Sequence, residues 1–218
     1  MFNDHDQSAD ELLKQADIAM YHAKDAGRNT MRFFDQQMQI SIDTRMAMEA
    51  DLRLAVTENQ FELYYQPQVN HNSQIIGAEV LIRWQHPQNE FTSPADFIPL
   101  AEATGLILPI GLWVLETACI QIKSWESDFH AQHLVLAVNV SACQFHQVDF
   151  VEQVHLVIRH SDINPERLKL ELTESLVLND INDTILKMNA LRELGVSFSM
   201  DDFGTGYSSL AYLTQLPD

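Results

Sequence analysis

Apolar positions recur along the 218 residues at two different spacings, and the change from one to the other divides the chain. Between residues 10 and 27, Leu12, Leu13, Ala16, Ala19, Met20 and Ala23 trace one face at helical spacing, and Gly27 follows Lys24 where a helix C-cap belongs. Asn29 to Phe34 has the composition of a short strand. Gln36 to Asn59 holds neither Gly nor Pro, and Ile40, Met46, Met48, Leu52, Leu54 and Val56 make it a long helical connector. At Phe61 the period becomes two. Phe61, Leu63 and Tyr65 alternate with Glu62 and Tyr64 up to Gln66-Pro67, and a second strand runs from about Gln74 to Arg83. Gln68–Ser73 is too short for a crossover helix, so these two strands are expected to be antiparallel neighbours.

Beyond them, helical and strand patterns alternate. Ser93-Pro94 opens a helix as N-cap and first helical residue, and Gly105 stops it after Thr104. A second helix spans about Ile110 to Trp125, followed by a buried-type strand from Leu134 to Val140 and a helix from about Val148 to His160. A strand at Leu168–Leu172, a helix at Ile181–Leu194 and a strand at Val196–Met200 complete the series. Repeating strand–helix units predict a parallel sheet. Polar residues at the ends of consecutive strands favour an α/β barrel over an open sheet.

Composition narrows the function classes. With 13 Lys and Arg against 31 Asp and Glu, the formal charge is −18. Such a chain is a poor non-specific binder of polyanions, so DNA and RNA are not expected partners. The start of the chain lacks the basic and apolar regions of a signal peptide, and no uncharged run suits a membrane span. Cys119 and Cys143 lack metal-type spacing and fit free thiols in a reducing cytoplasm.

The candidate chemistry sits on the strands. The second strand carries Glu79, the third ends in Asn139-Val-Ser141, the fourth holds Glu171, and the fifth ends in Asp201-Asp202 before Gly204-Thr-Gly206. Each interrupts or terminates an apolar strand, where burial without a partner costs several kcal/mol. One shared cation explains the set better than separate structural accidents, and oxygen donors favour Mg2+ or Mn2+ over zinc. Structural ion pairs of Glu79 and Glu171 with Arg83 or Lys169 are the plainer reading, and with Asn139 and Asp201 also placed they rank below the metal site. His130 and His133 read as a surface loop, His86 as a turn residue, and Asn139-Val-Ser141 as a chance glycosylation sequon.

Five motifs then appear in order: Tyr65-Gln66-Pro67; Glu79-Val80-Leu81 with Arg83-Trp84; Asn139-Val-Ser141; Glu171-Leu-Thr-Glu174-Ser175; and Asp201-Asp202-Phe-Gly-Thr-Gly206. On these the chain, from about Ser41 onward, resembles the EAL domain, a cyclic di-GMP-specific phosphodiesterase. That family is built on a modified TIM-like (β/α)8 barrel with one antiparallel strand near its start. Val80 replaces the alanine of the name motif, a small apolar exchange. The resemblance implies Glu79, Asn139, Glu171 and Asp201 as metal ligands, with Asp202 at a second metal or the attacking water. It implies Glu79, Asp201 and Asp202 as the catalytic set. Arg83 would meet a substrate phosphate, Gln66 and Leu81 would lie against the nucleotide, and Glu174 would anchor the loop after Asp202. The implied reaction is metal-assisted hydrolysis of cyclic di-GMP to linear pGpG in the parent protein, and family members can homodimerise; the expected location is the cytoplasm, with tethering of the parent to a membrane by upstream segments left open.

Residues 16–29, Ala-Asp-Ile-Ala-Met-Tyr-His-Ala-Lys-Asp-Ala-Gly-Arg-Asn, resemble the tail of a GGDEF (diguanylate cyclase) domain. The expected organisation is a GGDEF remnant over 1–35, a connecting helix over 36–59 and the N-terminal two-thirds of an EAL domain over 60–218. A full barrel takes roughly 250 residues, so an incomplete barrel is expected. Two other function classes fit the same residues: a module that binds cyclic di-GMP or a protein without hydrolysis, and an inactive fragment. The retained metal-ligand pattern argues against the binding module and for the enzyme in the parent protein.

Overall fold

The protein is described from a computed structural model that covers residues 8–25, 27, 29–88, 92–173, 176 and 180–201. Its contacts divide it into two units, Met1–Asp51 and Leu52–Asp218.

In the first unit, α1 (Ala9–Asp25) buries Ile18 and Ala19. The chain leaves it through Gly27, whose φ of 96° is open to glycine and whose N–H donates to Lys24 O at 3.2 Å. Residues 29–34 were expected as a strand, but they pair with none among the described residues. Strand composition without a ladder partner leaves only extended chain. The helix α2 (Gln36–Thr57) follows, and the division between the units falls within it.

In the second unit, β1 (Phe61–Val69) and β2 (Ile75–Trp84) form the expected antiparallel hairpin, with Gln66 opposite Glu79 and Tyr64 opposite Leu81. The helix α3 (Pro94–Thr104) starts as its sequence dictates: Ser93 Oγ accepts from Ala95 N at 3.3 Å, and Gly105 takes φ 76° at the far end. Then come α4 (Ile107–Trp125), β3 (Val135–Val140), the single turn α5 (Ala142–Phe145), α6 (Phe150–Ser161) and a 3-10 turn at Pro165–Arg167. β4 (Leu168–Thr173), α7 (Ile181–Glu193) and β5 (Ser197–Asp201) end the described chain. The sheet order is β1-β2-β3-β4-β5, and every pair after the hairpin is parallel.

Strand parity assigns the two faces of this sheet. Ala78 and Val80 pair with Leu136 and Val138, and Leu136, Val138 and Val140 pair with Leu168, Leu170 and Leu172. All eight are buried and form the apolar face. The helix α4 is long and apolar enough to cross a bilayer by length and composition. Here it is a packing element, with Ile110, Leu115, Ala118, Cys119 and Ile122 all buried. At the β1 end, Phe61, Trp84, Phe97 and Trp113 form an aromatic cluster with centroids 5.6–6.3 Å apart. Burial of the Phe61 and Phe97 rings contributes about 1.5–3 kcal/mol each. The Trp84 indole donates to Gln60 Oε1 at 3.1 Å, so no buried donor is lost.

Two buried cations lock loops to this frame. Arg167 donates through Nε to Leu134 O and through Nη2 to Ala131 O at 3.0 Å, tying the chain before β3 to the start of β4. Burial lowers its pKa from the ordinary guanidinium value. Lys187 on α7 donates to Phe145 O at 2.9 Å and Gln147 O at 3.0 Å and pairs with Asp183 Oδ2 at 2.8 Å.

Candidate active site

The second face of the sheet is polar. Glu79 is in register with Ala137, which puts Asn139, two residues on, on the same side as Glu79. Asn139 is in register with Glu171, Glu171 with Ser199, and Thr173 with Asp201. Across the hairpin, Gln66 faces Glu79. One row therefore crosses five strands: Gln66, Glu79, Asn139, Glu171 and Asp201. In parallel α/β folds, ligands gather at the carboxyl ends of the strands, and Asn139, Glu171 and Asp201 stand in the last residues of theirs.

Neighbouring members hold one another. Asn139 Nδ2 donates to Glu79 Oε1 at 2.8 Å. A carboxylate only accepts, so the amide nitrogen must face it and the amide oxygen turns away. Ser199 Oγ donates to Glu171 Oε1 at 2.8 Å. Among the described residues, each glutamate thus commits one oxygen to a neighbouring strand and keeps the other for a further partner. The plainer pairings do not form: Glu79 is bonded to Asn139 and not Arg83, and Glu171 to Ser199 and not Lys169.

Arg83 lies on the same side of β2 as Glu79 and Leu81. Its Nη1 donates to Ile82 O at 2.9 Å, and its guanidinium carbon sits 5.6 Å from the centroid of the Tyr64 ring. One hydrogen bond among the described residues leaves most of its five donors for an anion. Below the end of β3, Ser141 and Gln144 form a capping box, with Ser141 N and Oγ both donating to Gln144 Oε1 at 3.2 and 3.0 Å. That box fixes the turn immediately after Asn139. A cavity of about 280 Å3 opens here, with Leu81, Arg83, Asn139, Ser141 and Gln144 in its wall.

Of the residues singled out in the sequence, the structure places Gln66, Glu79, Leu81, Arg83, Asn139, Glu171 and Asp201 on this one face; Glu174 and Asp202 lie outside the described residues. Among the described residues no three His, Cys, Asp or Glu side chains gather into a metal cluster. Geometry gives the reason: Glu79 and Glu171 are two strands apart, roughly 10 Å across a sheet, with Asn139 between them. The donor chemistry still fits a hard divalent cation. The amide oxygen and the two spare carboxylate oxygens are all oxygen donors, already oriented by hydrogen bonds to their far sides. The histidines take no part: His130 and His133 are exposed, and His86 Nδ1 accepts from Gln88 N at 3.1 Å in a turn.

Three contributors escaped the sequence reading. Ser199 sits two residues before Asp201, and period-two alternation alone would have put it on the same face. Gln144 completes the Ser-x-x-Gln pattern of a capping box with Ser141. Tyr64 could be found only once the hairpin register was known.

A parallel sheet led by an antiparallel strand, flanked by helices and bearing acidic and amide oxygens at its strand ends, defines a TIM-barrel-like α/β scaffold. The EAL domain model matches residues 49–217, and the chain belongs to that family. It is 46% identical over 213 residues to the bifunctional diguanylate cyclase/cyclic di-GMP phosphodiesterase MucR of Pseudomonas aeruginosa, over 97% of this chain and 31% of the relative. It is 40% identical over 216 residues to the cyclic di-GMP phosphodiesterase NbdA of the same organism, over 99% of this chain and 27% of the relative. The chain thus spans about a third or less of these relatives' length. Among solved structures, the PaMucR phosphodiesterase in complex with c-di-GMP superimposes with a TM-score of 0.75 at 44% identity, covering 78% of this chain and 69% of that one. The EAL enzyme Bd1971 with cAMP and cyclic-di-GMP bound gives 0.75 at 30% identity, covering 98% and 56%.

Proposed function

We propose that the protein hydrolyses cyclic di-GMP to linear pGpG with the help of Mg2+ or Mn2+, acting in the cytoplasm. The observation that carries this reading is the polar row across five strands, in which Asn139 donates to Glu79 and Ser199 to Glu171, so that each glutamate keeps its second oxygen unspent among the described residues. Its support from the relatives is that MucR and NbdA are named as cyclic di-GMP phosphodiesterases. Glu79, Asn139, Glu171 and Asp201 would hold the cation, with Asp202 beside Asp201 in sequence. When bound, a divalent ion supplies Lewis acidity toward water and the phosphodiester. The chain's own residues do the rest. Arg83 offers a planar fork to a phosphate oxygen. Gln66 and Leu81, on either side of Glu79's position, would border the nucleotide. Glu174, just beyond β4, would brace the loop after Asp202.

The domain arrangement belongs to the same proposal: a GGDEF-derived tail over 1–35, a connecting helix over 36–59 and the EAL domain from 60. The match to a bifunctional relative across 97% of the chain supports it. The test is direct. The complete protein, incubated with cyclic di-GMP and Mn2+, is expected to release pGpG by chromatography, and Glu79→Gln is expected to abolish the product. Binding of cyclic di-GMP without any pGpG would overturn hydrolysis in favour of a receptor.

A further inference from the structure

Ser199 has no role in the reading above, yet it occupies a defined place in the row. It is the register partner of Glu171 on β5 and lies two residues before Asp201, so its side chain shares their face. Its hydroxyl donates to Glu171 Oε1 at 2.8 Å. The terminal torsion of a glutamate is broad and roughly two-fold, so a carboxylate without a fixed partner can turn either oxygen, or neither, toward a ligand. A donor on the adjacent strand removes that freedom. Glu79 receives the equivalent service from Asn139, which is itself a candidate ligand. Glu171 receives it from a residue whose hydroxyl is spent on the carboxylate.

We infer that Ser199 is a positioning residue for metal binding: by donating to Oε1 of Glu171 it leaves Oε2 to face a divalent cation that Glu171, Asn139 and Asp201 would hold. A serine that only satisfies a half-buried carboxylate would make the same hydrogen bond, but the two roles differ in what they control. A satisfying partner affects folding. A positioning partner affects the cation, and loss of such outer hydrogen bonds lowers metal affinity about 10- to 100-fold. Alanine is close to serine in size and compatible with the strand, so Ser199→Ala is expected to leave the metal-free fold in place.

The inference rests on the metal-dependent reading of the site, and the experiment separates the two. Mn2+ alone is titrated calorimetrically into the complete protein, as wild type, Ser199→Ala and Ser199→Thr, and metal-free melting is recorded for each. Binding weakened about 10- to 100-fold in Ser199→Ala, near wild type in Ser199→Thr, and with melting unchanged supports the positioning role. Equal Mn2+ affinity in wild type and Ser199→Ala overturns it and leaves the proposed hydrolysis standing. Weakened binding that threonine does not restore also overturns it, since the hydroxyl is then not the operative group. A wild-type protein that neither binds Mn2+ nor cleaves cyclic di-GMP overturns both readings together.

Discussion

Gly77 is the point at which fold and site can be perturbed by one methyl group. It is buried on β2 and in register with Val135 of β3. A Cβ at this position would stand 2.4 Å from Val135 O and 3.3 Å from Val135 C. Both atoms are backbone, so no rotamer change relieves the clash; ordinary contact begins at 3.4 Å, and reaching it means opening β2 from β3 by about 1 Å. Overpacking of this kind costs typically 1–3 kcal/mol. The same opening acts two residues further on, where Glu79 Oε1 accepts from Asn139 at 2.8 Å. Lengthened by about 1 Å, that bond leaves the useful range of 2.7–3.2 Å. Gly77→Ala should therefore weaken folding and Mn2+ binding together.

Urea denaturation measures the first effect. With a slope of about 2 kcal/mol/M, a loss of about 2 kcal/mol lowers the midpoint by about 1 M. Ile76→Ala is the control, because the neighbouring side chain is 46% exposed and surface changes stay within about 0.5 kcal/mol. A Gly77→Ala protein as stable as that control, or one that binds Mn2+ like wild type, refutes the close-approach reasoning.

Three other expectations follow from the same geometry. In Gly111→Ala, the new Cβ falls 1.7 Å from Gln144 Nε2 and 2.2 Å from its Cδ, so Gln144 must leave the capping box; the loss of about 1 kcal/mol offsets the gain of about 0.5–1 kcal/mol from replacing a glycine inside α4, so no net stabilisation is expected in the same denaturation assay, and a gain of that size would show that Gln144 is not fixed. Tyr64→Leu removes the ring beside the Arg83 guanidinium, a contact worth about 0.5–1 kcal/mol, and should raise KM for cyclic di-GMP about two- to five-fold. Tyr64→Phe should not, and equal KM values in all three proteins would remove Tyr64 from the site. Burial pushes the Cys119 thiol up from 9.0 to about 12, so the unfolded chain loses this proton first as pH rises. Stability from this group is complete below pH 9 and declines by about 1.4 kcal/mol per unit above it. The decline should be absent in Cys119→Ala, measured as the difference between the two denaturation curves, and native protein near pH 8 should react with a thiol reagent at exposed Cys143 alone.

Most helices and all five strands among the described residues were legible because their signals are local. Ser93 and Gly105 bracket α3 as their capping chemistry requires, and the six-residue link at Gln68–Ser73 left the hairpin no parallel alternative. The strand expected at 29–34 failed for the complementary reason: β-composition describes a willingness to pair, and a ladder needs a second strand. The single turn α5 was too short for periodicity to register. For the site, each residue's presence at a strand end could be read from the chain. Which oxygen faces which donor could not, since it depends on parallel register. A slip of one residue would exchange Asn139 for Val138 beside Glu171.

That dependence on register makes the two faces of the sheet separable. Leu136, Val138, Val140, Leu168, Leu170 and Leu172 are at most 3% exposed, and their burial against the helices fixes the register. Glu79, Asn139, Glu171, Ser199 and Asp201 ride on the opposite parity and inherit it. The polar row needs no packing of its own to be aligned; it needs the apolar face to be correct. Trimming Leu170 to Ala should therefore cost about 2–5 kcal/mol of stability while whatever protein remains folded keeps its Mn2+ affinity. Ser199→Ala should do the reverse. If trimming Leu170 lowered the affinity of the folded fraction as much as it lowered stability, alignment would be shared between the faces, and parity would not be what divides structure from chemistry in this sheet.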